Sequence, residues 1–275
     1  MTIDSHQHFW KYDPKRHSWI TDTMAVLRRD YLPTHLEPLL QEQGVAGCVA
    51  VQADMSEAET EFLLQCAAEH PFIKGVVGWV DLLDQGVGER LEYFVGNPLL
   101  KGIRHIVQDE ADDRFMLRPD FQAGIARLES LGLAYDILIY PKQLTAAVEL
   151  VRRFPAQRFV IDHIAKPRIS RGVDPWWKKQ MQALAAFPNT ACKLSGMVTE
   201  TDGFRWERED LYPFMDAVLE AFGADRLLFG SDWPVCLLAG SYESVKQVVD
   251  SYTGALTGTE RQLIMGGNAR RWYAL

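Results

Sequence analysis

Eight short apolar segments recur along the chain, separated by stretches of helical periodicity. We expect these segments to be the strands Thr2–His8, Gly47–Ala53, Lys74–Leu82, Lys101–Val107, Ala134–Tyr140, Arg158–His163, Thr190–Ser195 and Arg226–Gly230. Several are apolar throughout, as strands are in a parallel sheet that is covered on both faces. Eight strands that alternate with helices over 275 residues predict an α/β fold, a single (β/α)8 TIM barrel domain spanning residues 1–275.

The segments between the strands carry helix start and stop signals. Thr34–Glu37 and Ser56–Glu59 have the pattern of capping boxes, and Pro119 opens a helix that should end at Gly132. A doubly wound open sheet is the competing architecture. It normally has a glycine-rich phosphate-binding turn after its first strand, and no such turn follows Thr2–His8. The barrel is therefore the favoured fold.

Charge and composition narrow the range of partners. The net charge of -8 and the absence of a Lys/Arg run argue against nucleic acid and anionic membranes as partners. No apolar stretch is long enough to cross a bilayer, so we expect a cytoplasmic protein. The four cysteines are far apart in sequence and are expected to be buried free thiols. The sequence does not indicate an oligomeric state.

The opening strand carries the first candidate metal ligands. If Thr2–His8 is a strand, its two-residue period places Asp4, His6 and His8 on one face. Two imidazoles on one rigid face make half of a metal site that suits zinc and related divalent ions. The alternative is that two histidines near a terminus are only surface residues.

Polar side chains end or directly follow most of the predicted strands, and they lie within the fourth and the fifth. In a barrel the carboxyl ends of the strands meet at one rim, where the chemistry is done. These rim candidates are His6, His8, Gln52, Asp54, Trp79, Asp81, Arg104, His105, Asp136, Asp162, His163, Lys166, Lys193, Ser195 and Asp232. A His-x-His after the first strand, a single histidine after the sixth and an aspartate after the eighth together indicate an active site.

Some of these residues also have a purely structural interpretation. Arg104 and His105 are neighbours on one strand and face opposite ways, so we assign Arg104 to the pocket and keep His105 as a second candidate. Asp162 could pair with an outer helix, Lys166 could be a solvated loop residue, and Trp10 could be a packing residue.

Five stretches of the chain carry a family resemblance. They are IDSHQHFW (3–10), KGIRHIV (101–107), FVIDHIAKP (159–167), KLSGM (193–197) and FGSDWPVC (229–236). Together they resemble the sugar lactonase branch of the amidohydrolase superfamily, which holds L-fuconolactonases and L-rhamnonolactonases. The resemblance runs from Ile3 to Tyr273 and implies hydrolysis of a small-molecule sugar lactone to the aldonic acid.

The resemblance also implies roles for individual residues. His6 and His8 would line a metal subsite together with Asp232, which would also accept the proton of the attacking water. His163 would face the reacting carbonyl, and Arg104 would hold substrate oxygens. Selectivity should come from hydrogen bonds to ring hydroxyls. The candidates for these bonds are Arg104, Gln52, Lys166, Asp136 and the loop from Trp10 to Trp19.

The chain departs from the wider superfamily in its metal ligands. Members with two metals bridge them with a carboxylated lysine or a glutamate near strands four or five, and these strands here read GIRHIV and AYDILIY. The resemblance therefore implies one divalent ion, expected to be zinc, and it includes members that work without one.

Two other functions remain open at this point. Decarboxylases of the same superfamily share the barrel and its histidine and aspartate set, and they use the metal to stabilise a carbanion-like intermediate. A barrel that binds a sugar acid without catalysis is the second alternative, although here the whole acid–base set is intact.

Overall fold

The predicted strands form one parallel sheet whose order follows the chain. The computed structural model describes residues 1–275. Its strands are β1 (Thr2–Gln7), β2 (Val45–Val51), β3 (Ile73–Gly78), β4 (Leu100–Ile106), β5 (Ala134–Leu138), β6 (Phe159–Ile161), β7 (Thr190–Leu194) and β8 (Leu227–Phe229). Each pairs in parallel with the next from β1 to β8. This confirms the (β/α)8 barrel, and most strands end a few residues before the predicted limit because their polar ends already belong to the loops.

The barrel closes between β1 and the segment that follows β8. The backbone N–H of Asp232 donates to the carbonyl of His6 over 2.8 Å, and the N–H of His8 donates to the carbonyl of Trp233 over 2.7 Å. The Ser5 hydroxyl also donates to the carbonyl of Phe229. Residues more than two hundred positions apart thus meet at the carboxyl end of the sheet.

Helices cover the outside of the sheet, except for the last one, which packs against the small apolar cluster on the inner face. They are α1 (Pro33–Glu42), α2 (Glu57–Glu69), α3 (Val87–Val95), α4 (Pro119–Ser130), α5 (Leu144–Arg153), α6 (Pro175–Ala185), α7 (Arg208–Phe222), α8 (Tyr242–Thr253), α9 (Gly258–Gln262) and α10 (Asn268–Trp272). The signals at Pro119 and Gly132 are confirmed, while α3 was not predicted. None of the helices combines the length and the apolar character needed to cross a membrane.

Two apolar layers lie on opposite faces of the sheet. A cluster of 70 buried residues packs largely between the strands and the helices. A separate cluster of 11 residues includes Val51 and Val77 from the strands and Tyr273 from the carboxyl terminus. Above this small cluster, towards the carboxyl ends of the strands, the interior side chains change from apolar to charged, and this change marks the floor of the functional site.

The predicted common face of Asp4, His6 and His8 is wrong for Asp4. The pairing of β1 with β2 changes register between Asp4 and Gln7, as at a β-bulge. A bulge shifts the alternation of side chains by one residue. Asp4 therefore points outward, where its carboxylate accepts hydrogen bonds from the Tyr242 hydroxyl and the Ser231 N–H. His6 and His8 remain on the inner side.

Neither predicted capping box forms in full. The helix α1 begins at Pro33, and its N-cap is Leu32 rather than Thr34. Ser56 does cap α2 by accepting from the N–H of Glu59, but the Glu59 carboxylate accepts instead from the N–H groups of Ala53 and Asp54. Glu59 thereby fixes the loop that leaves β2 next to the functional site.

Replacing Glu59 with glutamine is expected to reduce the pH dependence of stability. Burial raises the pKa of Glu59 from 4.5 to about 8. Between these values the folded chain holds a proton that the unfolded chain releases, so stability falls as the pH rises. We expect the wild type to lose about 2–4 kcal/mol more than Glu59→Gln between pH 5 and pH 8.

Urea unfolding of both proteins at the two pH values measures this difference. Glu57→Gln is the matched control, because Glu57 lies in the same helical turn but pairs with Arg90 at the surface. Parallel pH dependence in Glu59→Gln and the wild type would contradict the assignment.

Candidate functional site

A cavity of about 400 Å³ opens at the carboxyl ends of the strands. Its lining residues come from the loops after most of the strands and from the long loop that follows β1. They are His8, Trp19, Met24, Ala53, Arg104, Ile106, Gln108, Asp109, Leu138, Tyr140, His163, Lys166, Thr199, Glu200, Phe204, Asp232, Val235 and Leu238. This is the rim that the barrel rule selects for chemistry.

His6, His8 and Asp232 form a compact buried group at the base of the cavity. The Nε2 atoms of His6 and His8 are 3.2 Å apart. Oδ1 of Asp232 lies 3.3 Å from Nε2 of His8 and 3.8 Å from Nε2 of His6. The Nδ1 atom of His8 is 2.7 Å from the carbonyl oxygen of Val51, an interaction that holds the proton on Nδ1 and leaves Nε2 free. Two imidazoles and a carboxylate in this arrangement fit a zinc-like divalent ion.

Close backbone packing brings Asp232 to the histidines. A Cβ atom at Gly230 would lie 2.7 Å from Cβ of His6, so only glycine allows β8 to approach β1 this closely. Asp232 itself has a positive φ of 57°, a conformation that aspartate adopts more readily than most residues. Strand closure and this local turn together direct the carboxylate into the cavity.

His163 completes the group from the far side. Its Nδ1 lies 2.9 Å from the Ser195 hydroxyl, and its Nε2 lies 3.9 Å from Oδ1 of Asp232. Gly196, at φ +62°, passes directly against the imidazole, where any Cβ would collide with the ring. We assign the Nε2 proton to His163 with Ser195 donating to Nδ1, because Nε2 faces a carboxylate.

A left-handed turn places both His163 and Lys166. Four consecutive residues, from His163 to Lys166, have φ between 48° and 58°. This conformation costs L-residues roughly 1–2 kcal/mol each and is rare in succession. Burial of Ile164 and a hydrogen bond from Trp177 Nε1 to the Ile164 carbonyl hold the turn in place. Backbone strain of this kind is concentrated at functional sites.

The electrostatics of the group suit a proton acceptor. Burial holds the pKa of His6 well below its ordinary value and lowers that of His163 to about 4. Both imidazoles are therefore neutral near pH 7. Burial disfavours the charged form of Asp232, but attraction to the protonated form of His163 and the contact with His8 outweigh it and hold the pKa of this carboxyl well below its usual range. As the pH rises, the carboxyl therefore loses its proton before the ring of His163 does. The site thus presents an ionised carboxylate beside neutral rings.

A charged layer lies beneath the cavity. Lys193 Nζ is 2.6 Å from Asp136 Oδ2, 2.9 Å from Asp162 Oδ1 and 3.0 Å from His6 Nδ1. Arg104 Nη1 is 2.9 Å from Asp162 Oδ2 and 3.3 Å from His6 Nε2. Each of these charges is buried and has an opposite partner, so the layer holds the ring of His6 from below.

Of the predicted substrate-binding residues, Arg104 and Lys166 line the cavity. Asp162 points into the barrel to Arg104 and Lys193, so it is not the partner of an outer helix. Gln52 and Asp136 do not line the cavity. The Gln52 side chain instead holds Arg104 through two hydrogen bonds, from its Nε2 and to its Oε1.

The predicted role of Asp136 in substrate binding is not supported by its position. Its carboxylate accepts from Lys193 and from the Tyr273 hydroxyl deep in the barrel, and it is fully buried. Asp136 lies on β5 two residues before the strand end, whereas Leu138 at the end itself reaches the cavity. Asp136 was thus chosen from within the strand, whereas the cavity is reached only at the strand end.

His105 and Trp10 also lie away from the cavity. His105 faces outward, with Nε2 at 2.8 Å from Glu110 and its ring stacked on Phe115, because it alternates with Arg104 along β4. Trp10 is buried under the long loop and donates from Nε1 to the Arg29 carbonyl. Trp19, at the far end of the predicted Trp10–Trp19 loop, does line the cavity.

The sequence analysis missed several residues of the cavity wall. Tyr140 and Glu200 lie just beyond β5 and β7, in the loops that the barrel rule assigns to the site. Glu200 follows β7 by six residues, which was too far for an approach that inspected only the strand ends. The signal that points to it is an acidic residue in a βα loop, where barrels carry the residues of their sites.

Comparisons with known proteins find relatives along the full length of the chain. The model of the amidohydrolase family matches residues 3–275. An L-fucono-1,5-lactonase of Burkholderia multivorans is 42% identical and aligns with 100% of this chain and 96% of its own length. An L-fucono-1,5-lactonase of Burkholderia ambifaria is 38% identical, over 99% and 95%. A crystal structure of an amidohydrolase from Burkholderia multivorans with bound zinc superposes with a TM-score of 0.96 at 42% identity, over 100% and 99% of the two chains. The resemblance predicted from the five stretches is confirmed.

Proposed function

The chain belongs to the amidohydrolase family, and from this premise we propose that it opens a sugar-derived lactone, of the L-fucono-1,5-lactone or L-rhamnonolactone type, to the aldonic acid. It is a hydrolase of carboxylic ester bonds. Full-length similarity to two L-fucono-1,5-lactonases carries the proposal. We further propose that residues 1–275 act as one barrel domain.

Asp232 is the general base in this mechanism. Ester hydrolysis needs a base that accepts a proton from the attacking water. Asp232 is ionised, faces the cavity and lies within 4 Å of three imidazoles that can position a water. As the water attacks the lactone carbonyl, its proton passes to Asp232. The protonated carboxyl then gives this proton to the ring oxygen when the carbon–oxygen bond of the ring breaks.

His163 and Arg104 stabilise the negative charge that develops on the carbonyl oxygen. A neutral imidazole with its proton on Nε2 donates to an oxyanion without changing protonation state. The guanidinium of Arg104 adds a fixed positive charge on the cavity wall, held in place by Asp162 and Gln52. Donors that are already oriented need little rearrangement during the reaction.

His6, His8 and Asp232 are the residues that would hold a divalent ion, and zinc suits their donor set. When bound there, such an ion supplies Lewis acidity that lowers the pKa of water. Lys193 and Asp162 hold the ring of His6, and the Val51 carbonyl orients His8.

The charges of the cavity favour a neutral substrate. Two basic and three acidic side chains line it. Arg104 is paired with Asp162, and Lys166 faces Glu200. The cavity therefore has no unpaired positive charge that would bind a substrate carboxylate. A decarboxylase must bind an anionic acid, whereas a sugar lactone is uncharged. This observation favours the lactonase over the decarboxylase.

A small substrate panel tests the proposal. Acid release is titrated with L-fucono-1,5-lactone and an L-rhamnonolactone, and carbon dioxide release is measured with 2,6-dihydroxybenzoate. Each assay is run with and without chelator, and the zinc content of the protein is measured in parallel. We expect acid release from a sugar lactone well above the spontaneous rate and no carbon dioxide from the aromatic acid. Carbon dioxide release, or binding of sugar lactones without turnover, would overturn the proposal.

A further inference from the structure

Lys166 and Glu200 face each other on the wall of the cavity. Lys166 lies in the turn after β6, and Glu200 lies in the loop after β7. Their Nζ and Oε1 atoms are 3.6 Å apart, and the two side chains are only 17% and 19% exposed. Both line the same cavity as Asp232 and His163. The pair therefore lies where the part of a substrate beyond the reacting carbonyl would be held.

The Lys166 ammonium and the Glu200 carboxylate do not use all of their hydrogen-bonding capacity on each other. A separation of 3.6 Å is longer than the usual 2.7–3.2 Å of an N–H···O bond. An ammonium group has three donors, and a carboxylate has acceptor sites on both oxygens. Burial raises the pKa of Glu200, and Lys166 Nζ lies over the ring of Tyr140 at 5.4 Å. A donor and an acceptor thus lie side by side with room for further partners.

A second ion pair joins the same two loops and serves as an internal comparison. Arg168 Nη2 lies 3.3 Å from Asp202 Oδ1, each residue two positions along the chain from its counterpart in the first pair. These side chains are 58% and 67% exposed and do not line the cavity. If an ion pair were needed only to tie the loops together, the Arg168–Asp202 pair would already do so at the surface.

We propose that Glu200 and Lys166 form a specificity-determining pair that binds two neighbouring hydroxyls of the lactone ring. One hydroxyl donates to the Glu200 carboxylate, and the adjacent hydroxyl accepts from the Lys166 ammonium. This inference rests on the proposed lactonase function and specifies its substrate class as lactones with a vicinal diol. A substrate without these hydroxyls displaces water from the two charged groups and gives them no hydrogen bonds in return, which is how polar sites reject analogues.

Substituting Glu200 by glutamine tests the proposal, because glutamine keeps the shape of the side chain and removes its charge. The kinetics of Glu200→Gln and Lys166→Met are measured on L-fucono-1,5-lactone and on δ-valerolactone, which has the same ring and ester but no hydroxyls. δ-Valerolactone is assayed both as substrate and as competitive inhibitor, so its binding is measured even at low turnover. The preference for the sugar lactone is measured as the ratio of the two kcat/KM values, or as the inhibition constant of δ-valerolactone divided by the KM of the sugar lactone. We expect either ratio to fall about 10- to 100-fold.

Asp202→Asn is the matched control, because it breaks the exposed pair between the same two loops. It should keep the wild-type preference, and the thermal midpoints of all variants show whether folding is affected. Equal losses on both lactones, or a preference that is the same in Glu200→Gln and Asp202→Asn, would overturn the inference while leaving the lactonase function in place. Failure of the wild type to hydrolyse any sugar lactone would instead overturn the function and this inference with it.

Discussion

Replacing Asp232 with asparagine is expected to lower kcat for sugar-lactone hydrolysis by about 10²- to 10⁴-fold, the usual contribution of a positioned general base. Asparagine occupies the same volume and keeps the polar contact with His8, but it cannot accept a proton from water. The lactone should still bind, because Arg104 and Lys166 are unchanged. Steady-state kinetics should therefore show a large loss in kcat with a small change in KM.

The control for this variant lies at the other end of the same strand. Asp225 is an exposed aspartate just before β8, whereas Asp232 follows it. The amino ends of barrel strands do no chemistry, so Asp225→Asn should be fully active. Zinc analysis of both proteins separates loss of the base from loss of a metal ligand. Near-wild-type turnover in Asp232→Asn would remove this residue from the mechanism.

The sequence predicted those features of the fold and the site that depend on local patterns alone. Eight strands, their order and the rim location of His8, His163 and Asp232 follow from periodicity and from the barrel rule. These features depend on the alternation of apolar segments and helices, which does not require knowledge of distant contacts.

Predictions failed where contacts between distant segments determined the outcome. The bulge in β1 turned Asp4 outward, and no residue in that strand signals a change of register. Gln52 lies at a strand end as predicted but turns to Arg104, a residue from two strands away. Trp10 is buried by a loop whose path the sequence does not determine. Each of these three side chains lies near the predicted site but contacts other protein groups instead of the cavity.

The charged layer was also beyond prediction from the sequence, because it depends on contacts between distant segments. Lys193 was noted only as a polar residue at the end of β7, and nothing local distinguishes it from a solvated lysine. Its partners are Asp136 on β5, His6 on β1 and Asp162 in the turn after β6. Only the closed barrel brings them within 3 Å, so the interaction belongs to the fold rather than to any segment.

Replacing Lys193 with methionine is expected to destabilise the protein by about 3–5 kcal/mol, the cost of leaving a buried charge without its partner. Methionine fills most of the lysine volume, so the loss reflects charge rather than a cavity. Lys193 is fully buried, and without it Asp136 and Asp162 would repel each other in a medium of low dielectric. The free energy of unfolding in urea measures the effect.

The pH dependence of this loss identifies its cause. Burial already raises the pKa of Asp136 to about 6 despite the attraction of Lys193. At pH 5 Asp136 is therefore already largely protonated, and the variant leaves no buried charge on it. Removing the lysine raises that pKa further, so at pH 8 the variant must either bury an unpaired charge on Asp136 or take up a proton. We therefore expect the cost of Lys193→Met to be smaller at pH 5 than at pH 8. A cavity or a packing defect would give the same cost at both pH values.

Two comparisons make the Lys193 prediction decisive. Lys178→Met is the matched single change, because Lys178 pairs with Glu220 at the surface and such pairs contribute about 0–1 kcal/mol. The double variant Lys193→Met with Asp136→Asn removes both members of the buried pair, and it should be more stable than Lys193→Met alone because no unpaired charge remains on β5. If Lys193→Met were no less stable than Lys178→Met, or if the second substitution only added to the loss, the charged layer would not be what holds His6 and the floor of the cavity in place.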